Sequence, residues 1–228
     1  MFLEVKVTFN ADLIGSKGQL GVVLSKLEGF NSAKVRVEQY TTDSEIASQI
    51  LWEASLRGDI KEKVIADFGS GTGILGLGTM LLGAKQVYFV ENDAEALEIA
   101  KQNYKTLKSE FKLSGKAFFE LKDIANVGIK VDLVVQNPPF GTKTRHADRL
   151  FLSKAFESAD VVYSFHKLST RDFIEAFARD NKFNITNMWG FDFPLKATMP
   201  HHEKRIQRIK VGCWRFEKQQ LRPKRWSM

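Results

Sequence analysis

Cysteine is nearly absent. The 228 residues hold one, Cys213, so no intrachain disulfide can form and a zinc site built on several cysteines is excluded. A reducing, cytoplasmic setting fits. Histidine is scarce too, with four in the chain; the pair His201-His202 has no evident third ligand, so no metal site is expected. Long apolar runs are also missing. The longest uncharged stretch, Phe68 to Ala84, is short for a membrane span and full of glycine. The opening Met1-Phe2-Leu3-Glu4 lacks the basic and apolar regions of a secretory signal. No internal repeat or low-complexity segment is present.

What remains is ordinary for a soluble globular protein, 43% hydrophobic and 27% charged. The length suits one α/β domain with a full-sized core, residues 1–228, with 1–17 as an extension and 219–228 as a basic tail. The net charge of +7 is unevenly placed. Residues 196–228 carry ten Lys/Arg and two Asp/Glu, a net +8; the rest carry 24 and 25, a net −1. A basic zone on a near-neutral body suggests a polyanionic partner or a solubilising end.

The pattern along the chain alternates. Leu20, Val23, Leu24 and Leu27 have helical spacing, and Glu28-Gly29 closes that piece. Val35 to Glu38 alternates like a strand. Thr42-Asp43-Ser44-Glu45 reads as a capping box opening a helix that stops near Gly58. Strands are expected at Val64–Ala66, Val87–Val90, Phe118–Leu121, Val131–Val135 and Val161–Phe165, with helices between them. Two longer strands, Phe183–Phe193 and Ile206–Phe216, end the pattern as an antiparallel pair. Strands alternating with helices predict a doubly wound, mostly parallel sheet.

Two segments stand out as poor core material. Asp67-Phe68-Gly69-Ser70-Gly71-Thr72-Gly73 joins a strand to a helix, where backbone N–H groups can face a ligand. It also fits the dinucleotide pattern, with Glu91 about 20 residues on. Asp67 decides between cofactors. A carboxylate there repels a pyrophosphate, as in NAD, but suits a cation such as S-adenosylmethionine. Glu91, ending the second strand, can accept from ribose hydroxyls, or be only a helix-start acid. Asp123 can accept from an adenine amino group, with the Ile124 N–H meeting a ring nitrogen. The second segment, Asn137-Pro138-Pro139-Phe140, ends the fourth strand. The prolines stiffen the backbone and remove N–H donors. The Asn137 side-chain oxygen and the Pro138 carbonyl can each accept one N–H of a delocalised amine. They would then aim its lone pair at a methyl group, with Phe140 stacked on the base. Gln39, Tyr40 and Thr42 could close over the cofactor, or Thr42 could merely cap its helix. His166 and Lys167 are expected just past the fifth strand, touching phosphate or capping the sheet.

On these residues the chain resembles the class I S-adenosylmethionine-dependent methyltransferases of the N6-adenine type, in particular those acting on small-subunit ribosomal RNA. The resemblance runs from about Leu20 to Phe216. It rests on Glu38-Gln39-Tyr40-Thr41-Thr42, the Asp67–Gly73 loop, Asn137-Pro138-Pro139-Phe140-Gly141-Thr142-Lys143, Val162-Tyr163-Ser164-Phe165-His166-Lys167 and Ser169-Thr170-Arg171. It implies a Rossmann-like seven-stranded sheet and a cofactor lined by Gln39, Tyr40, Thr42, Gly69, Thr72, Ile74, Glu91, Asp123 and Ile124, with Asp67 and Gly71 in the same loop. It implies Asn137, Pro138, Pro139 and Phe140 as the catalytic loop, a structured RNA substrate, and a small zinc-binding activator that joins by strand pairing. Glu91 departs from the eukaryotic pattern, which has Asp. Three other readings compete: a glutamine-N5 or DNA adenine methyltransferase, a non-catalytic RNA-binding module, and an NAD oxidoreductase.

Overall fold

The computed structural model describes residues 14–30, 42–139, 147–195 and 207–220. The strand expected at Val35–Glu38, the residues Gln39, Tyr40 and Phe140, His201-His202 and most of the basic segment lie outside them.

Seven strands form one sheet. They are β1 (Val64–Phe68), β2 (Gln86–Glu91), β3 (Lys116–Leu121), β4 (Leu133–Gln136), β5 (Val161–Lys167), β6 (Phe183–Leu195) and β7 (Gln207–Lys218). Their order is β3-β2-β1-β4-β5-β7-β6. The first five run parallel, and β7 pairs antiparallel with both β5 and β6. The expected mixed sheet is the observed one. The helices are α1 (Lys17–Leu24), α2 (Ser44–Leu56), α3 (Ile74–Leu81), α4 (Ala94–Glu110), α5 (Ala147–Ser158) and α6 (Arg171–Asp180).

Two buried clusters cover the two faces. Alternate residues of each strand point to opposite sides. Ile65, Val87, Phe89, Leu133, Val135, Tyr163 and Phe165 face one cluster with Leu20, Leu51 and Leu77. Ala66, Phe68, Val134, Val162, Trp214 and Phe216 face the other, with Leu152, Phe156 and Ile174. Close contact on the first face depends on one glycine. A Cβ on Gly76 of α3 would lie 2.4 Å from the Phe89 ring, so only glycine lets α3 approach β2 this closely.

Two local expectations change. The cap of α2 is Asp43, whose Oδ1 accepts from the N–H groups of Glu45 and Ile46 at 2.9 and 3.3 Å. Thr42 therefore does not cap that helix. His166 lies inside β5, paired across to Gly212 of β7, because the antiparallel partner extends the strand past Phe165. It is buried and contacts no phosphate from there. Among the described residues no helix is long and apolar enough to cross a membrane.

Candidate active site

The sheet order reverses between β1 and β4, and ligands of doubly wound folds sit outside the carboxyl ends of strands at such a point. The residues singled out from the sequence converge there. Asp67 and the glycine loop leave β1, Glu91 ends β2, Asp123 and Ile124 follow β3, and Asn137 to Pro139 follow β4.

The glycine loop is held by carboxylates. Gly69, Gly71 and Gly73 have φ values of 64°, 52° and 89°, a region that disfavours side chains. Glu91 reaches across from β2, and its Oε2 accepts from Gly71 N–H at 2.8 Å. Its Oε1 accepts from Asn92 and Asp93 N–H at 2.9 and 3.0 Å. Glu91 is buried, which sets aside the exposed helix-start reading. Asp67, 1% exposed, accepts from Gly76 N–H at 2.8 Å and thereby satisfies an orphan donor in the first turn of α3. Its burial pushes the carboxyl up to about 7, and nearby Glu91 pushes the same way while the Gly76 bond opposes. Asp123 caps the short 3₁₀ turn Ile124–Asn126 by accepting from Ala125 N–H.

Several contributors were not legible as site residues. Asn103 sits on the buried stripe of α4. Its Nδ2 donates to the carbonyls of Thr72 and Glu28, and its Oδ1 accepts from Glu28 N–H. A polar residue amid Leu97, Ala100 and Leu107 was the available signal. Phe30 lies over the loop, 3.2 Å from where a Cβ on Gly71 would be. The Ser70 hydroxyl is buried in the loop with no hydrogen-bond partner among the described residues.

The end of β4 carries two adjacent amides with different fates. Gln136 faces the second cluster. Its Nε2 donates to Ser164 Oγ at 2.9 Å, and Ser164 Oγ lies 2.6 Å from His166 Nε2. Ser164 Oγ thus bridges the Gln136 amide and the imidazole, sharing one hydrogen with His166 Nε2. Burial lowers the His166 pKa to about 3. Gln136 Oε1 and His166 Nδ1 have no partner among the described residues. Asn137 turns the other way, and its Nδ2 donates to Thr42 Oγ1 at 2.9 Å. Its Oδ1 is buried and has no hydrogen-bond partner among the described residues. Beside it the ring of Pro138 is buried and Pro139 half-buried.

Comparisons with known proteins agree with this geometry. The Methyltransferase small domain family matches residues 41–162, more than half of the chain. The chain is 34% identical to the rRNA N(6)-adenosine-methyltransferase METTL5 of Danio rerio, over 87% of this chain and 97% of that protein. A crystal structure from Pyrococcus horikoshii is 42% identical with a TM-score of 0.78, covering 89% of this chain and 99% of that one. The magnesium protoporphyrin IX methyltransferase of Synechocystis PCC 6803, solved with bound SAM, shares the fold at a TM-score of 0.59 and 16% identity, over 76% of this chain and 78% of that one. With the family matched over residues 41–162 and a relative above 30% identity covered over nearly its whole length, the chain belongs to the methyltransferase small domain family and is a class I methyltransferase resembling the METTL5 enzymes.

Proposed function

We propose that the protein methylates the N6 amino group of an unpaired adenosine in RNA, with small-subunit ribosomal RNA as the substrate class and S-adenosylmethionine as the donor. The observation that carries this is the Asn137 Oδ1 atom, a buried acceptor at the end of β4 with no partner among the described residues. A buried polar atom left unpaired costs about 1–3 kcal/mol, so it is held for a group that arrives later. An N–H of an exocyclic amine satisfies it, and the adjacent Pro138 carbonyl offers a second acceptor. METTL5 relatives named for N6-adenosine methylation of rRNA support the substrate.

The residues fit a nucleoside-bearing donor. Three glycines at positive φ leave the loop bare, Ser70 offers an unpaired hydroxyl, and Asp67 places a carboxylate beneath. Gly69, Gly71, Thr72, Ile74, Glu91, Asp123, Ile124 and Thr42 would hold it, with Gln39 and Tyr40 alongside. When bound, S-adenosylmethionine supplies an electrophilic methyl group on sulfonium. The protein's own work is orientation: Asn137 and Pro138 fix the amine and Phe140 stacks on the base. That base must be unstacked to enter, as single-stranded adenosines can be. The strand β3 ends the described sheet and exposes Phe118 and Leu121. An activator protein that adds a strand there fits the surface.

The test is transfer of a tritiated methyl group to total RNA, followed by nucleoside analysis. N6-methyladenosine is expected. Label in protein glutamine or only in DNA would overturn the assignment. Asn137→Ala is expected to remove all but about 1% of turnover, the scale for a lost transition-state contact, while leaving the melting curve unchanged.

A further inference from the structure

Counted along the sequence, residues 1–195 are nearly neutral. The fold separates their charges in space. Lys63 precedes β1, Lys85 precedes β2 and Lys116 opens β3, and the backbone ties the three together. Lys85 N–H donates to the Lys63 carbonyl at 2.9 Å, and Lys116 N–H donates to the Lys85 carbonyl at 3.0 Å. Adjacent strands lie about 4.8 Å apart, so three cations are anchored in a row along the amino ends of the strands. Lys61 extends the row, with its Cγ 3.6 Å from where a Cβ on Gly83 would be, just before Lys85. Lys112 joins from the link between α4 and β3. Lys63 is half-buried and the other four are exposed. We propose that this row is a second docking surface for RNA, at the end of the sheet opposite the catalytic loop, and that it grips the phosphate backbone of a structured substrate. The proposal rests on RNA being that substrate.

Three observations carry it. First, the charges are uncompensated. Elsewhere Lys101, Lys122, Lys154 and Lys218 each lie 3.0 to 3.4 Å from a carboxylate. Among the described residues, none of the five lysines in the row forms an ion pair. Second, the acids beside the row are occupied or few. Asp132 accepts from Val64 N–H at 2.8 Å, and Asp59 is held by Arg215. Glu62 and Glu110 remain, both exposed. Like charges on neighbouring strands repel, so the arrangement is relieved when a polyanion meets it. RNA phosphates supply negative charge at short, regular spacing. Third, the row is separate from the catalytic end. Lys63 and Gly69 flank the two ends of β1, about 20 Å apart at the rise of a strand. An RNA that reaches both must pass along the flank of the domain, which a folded RNA can do while it presents one adenosine to Asn137.

The experiment measures binding of transcribed small-subunit ribosomal RNA at several salt concentrations, by the wild type and by the triple variant Lys61→Gln, Lys85→Gln, Lys116→Gln. These side chains are exposed, so the variant should keep the wild-type melting curve. Its affinity for S-adenosylhomocysteine should stay within about twofold, because the two ends of the sheet are far apart. RNA affinity should fall about tenfold, and the slope of log affinity against log salt should flatten by about 2. A control triple, Lys17→Gln, Lys101→Gln, Lys154→Gln, removes the same charge outside the row. It should change RNA affinity by less than about threefold, since screened charges far from the phosphates act weakly. With the same RNA as methyl acceptor, the row variant should show a raised KM and a wild-type kcat, as the catalytic end is intact. Binding is read separately from turnover. A wild type that methylates no RNA sinks the proposed function, and the row is then judged from the salt slope alone. An unchanged slope in the row variant overturns the proposal. So does an equal loss in the control, which makes net charge the only cause. If the triple variant folds poorly, Lys85→Gln and Lys116→Gln are read singly, each flattening the slope by roughly 0.7 to 0.9.

Discussion

Two buried titratable side chains, Asp67 and His166, act on stability in opposite directions. The unfolded chain protonates His166 near its ordinary 6.5, but the native imidazole stays neutral to about 3. The stability of this neutral ring is complete above pH 6.5 and drains away as pH falls toward 3. Asp67 titrates at about 7 in the native state against an ordinary 3.8. The cost of burying its charge is full above pH 7 and is relieved as pH falls toward 4. From pH 7 to 4 the two contributions offset each other. Asp67→Asn removes one of them and retains an oxygen for Gly76 N–H. Between pH 4.5 and 8, its unfolding free energy relative to wild type should shift in the variant's favour by about 3 kcal/mol. Urea titrations at the two pH values check this, and a pH-independent difference would contradict the burial of an ionised Asp67. At this scale the sequence was legible where chemistry is contiguous. Asn137-Pro138-Pro139 and the glycine loop announce themselves. The Asn137–Thr42 pair and the Glu91–Gly71 bond do not, because they join residues that only the sheet brings together.

Among the elements, the antiparallel β7 is tied to the rest of the fold by a buried ion pair. Arg215 of β7 grips Asp59, in the turn after α2, through Nε at 2.8 Å and a terminal nitrogen at 3.1 Å. The Tyr163 hydroxyl donates to the same carboxylate at 2.8 Å. Arg215 also donates to Thr186 and Glu217. The cluster lies at the sheet end opposite the glycine loop, since Asp59 precedes the start of β1. Removing one member leaves a buried charge uncompensated. Arg215→Met should therefore cost about 3 kcal/mol of stability, and adding Asp59→Asn should recover part of it. Turnover per folded molecule should stay near wild type, which separates this cluster from the site. The alternation of elements was legible because hydrophobic spacing sets it locally. Boundaries were less so: β4 begins at Leu133, two residues late, because Asp132 uses its carboxylate and its N–H to bond Val64. β5 runs on to Lys167 because β7 pairs with it, and that pairing is non-local.

For the whole molecule, charge counted along the sequence is not charge available to a partner. Of the basic residues after Leu195, Arg215 is committed to Asp59 and Glu217, and Lys218 lies 3.1 Å from Asp160. The positive end that could meet phosphates is thus weighted toward Arg222, Lys224 and Arg225 and toward Lys204, Arg205 and Arg208, and we propose that RNA phosphates rest there. Removing residues 221–228 should weaken RNA binding and flatten the dependence of log affinity on log salt by about 2, given roughly 0.7 to 0.9 per lost phosphate contact. Cofactor affinity should not move. Titrations at several salt concentrations decide it, and an unchanged slope would make the segment a solubilising end. The carboxylate of Glu91 has a consequence at this scale too. It shapes the glycine loop from beneath by accepting from the N–H groups of Gly71, Asn92 and Asp93. If this loop holds S-adenosylmethionine as proposed, it meets the adenosine portion, which the fresh donor shares with its demethylated remnant. Spent and fresh molecules then compete for it on nearly equal terms. Progress curves should slow well before the RNA is exhausted, and a nucleosidase that destroys the remnant should restore a linear time course.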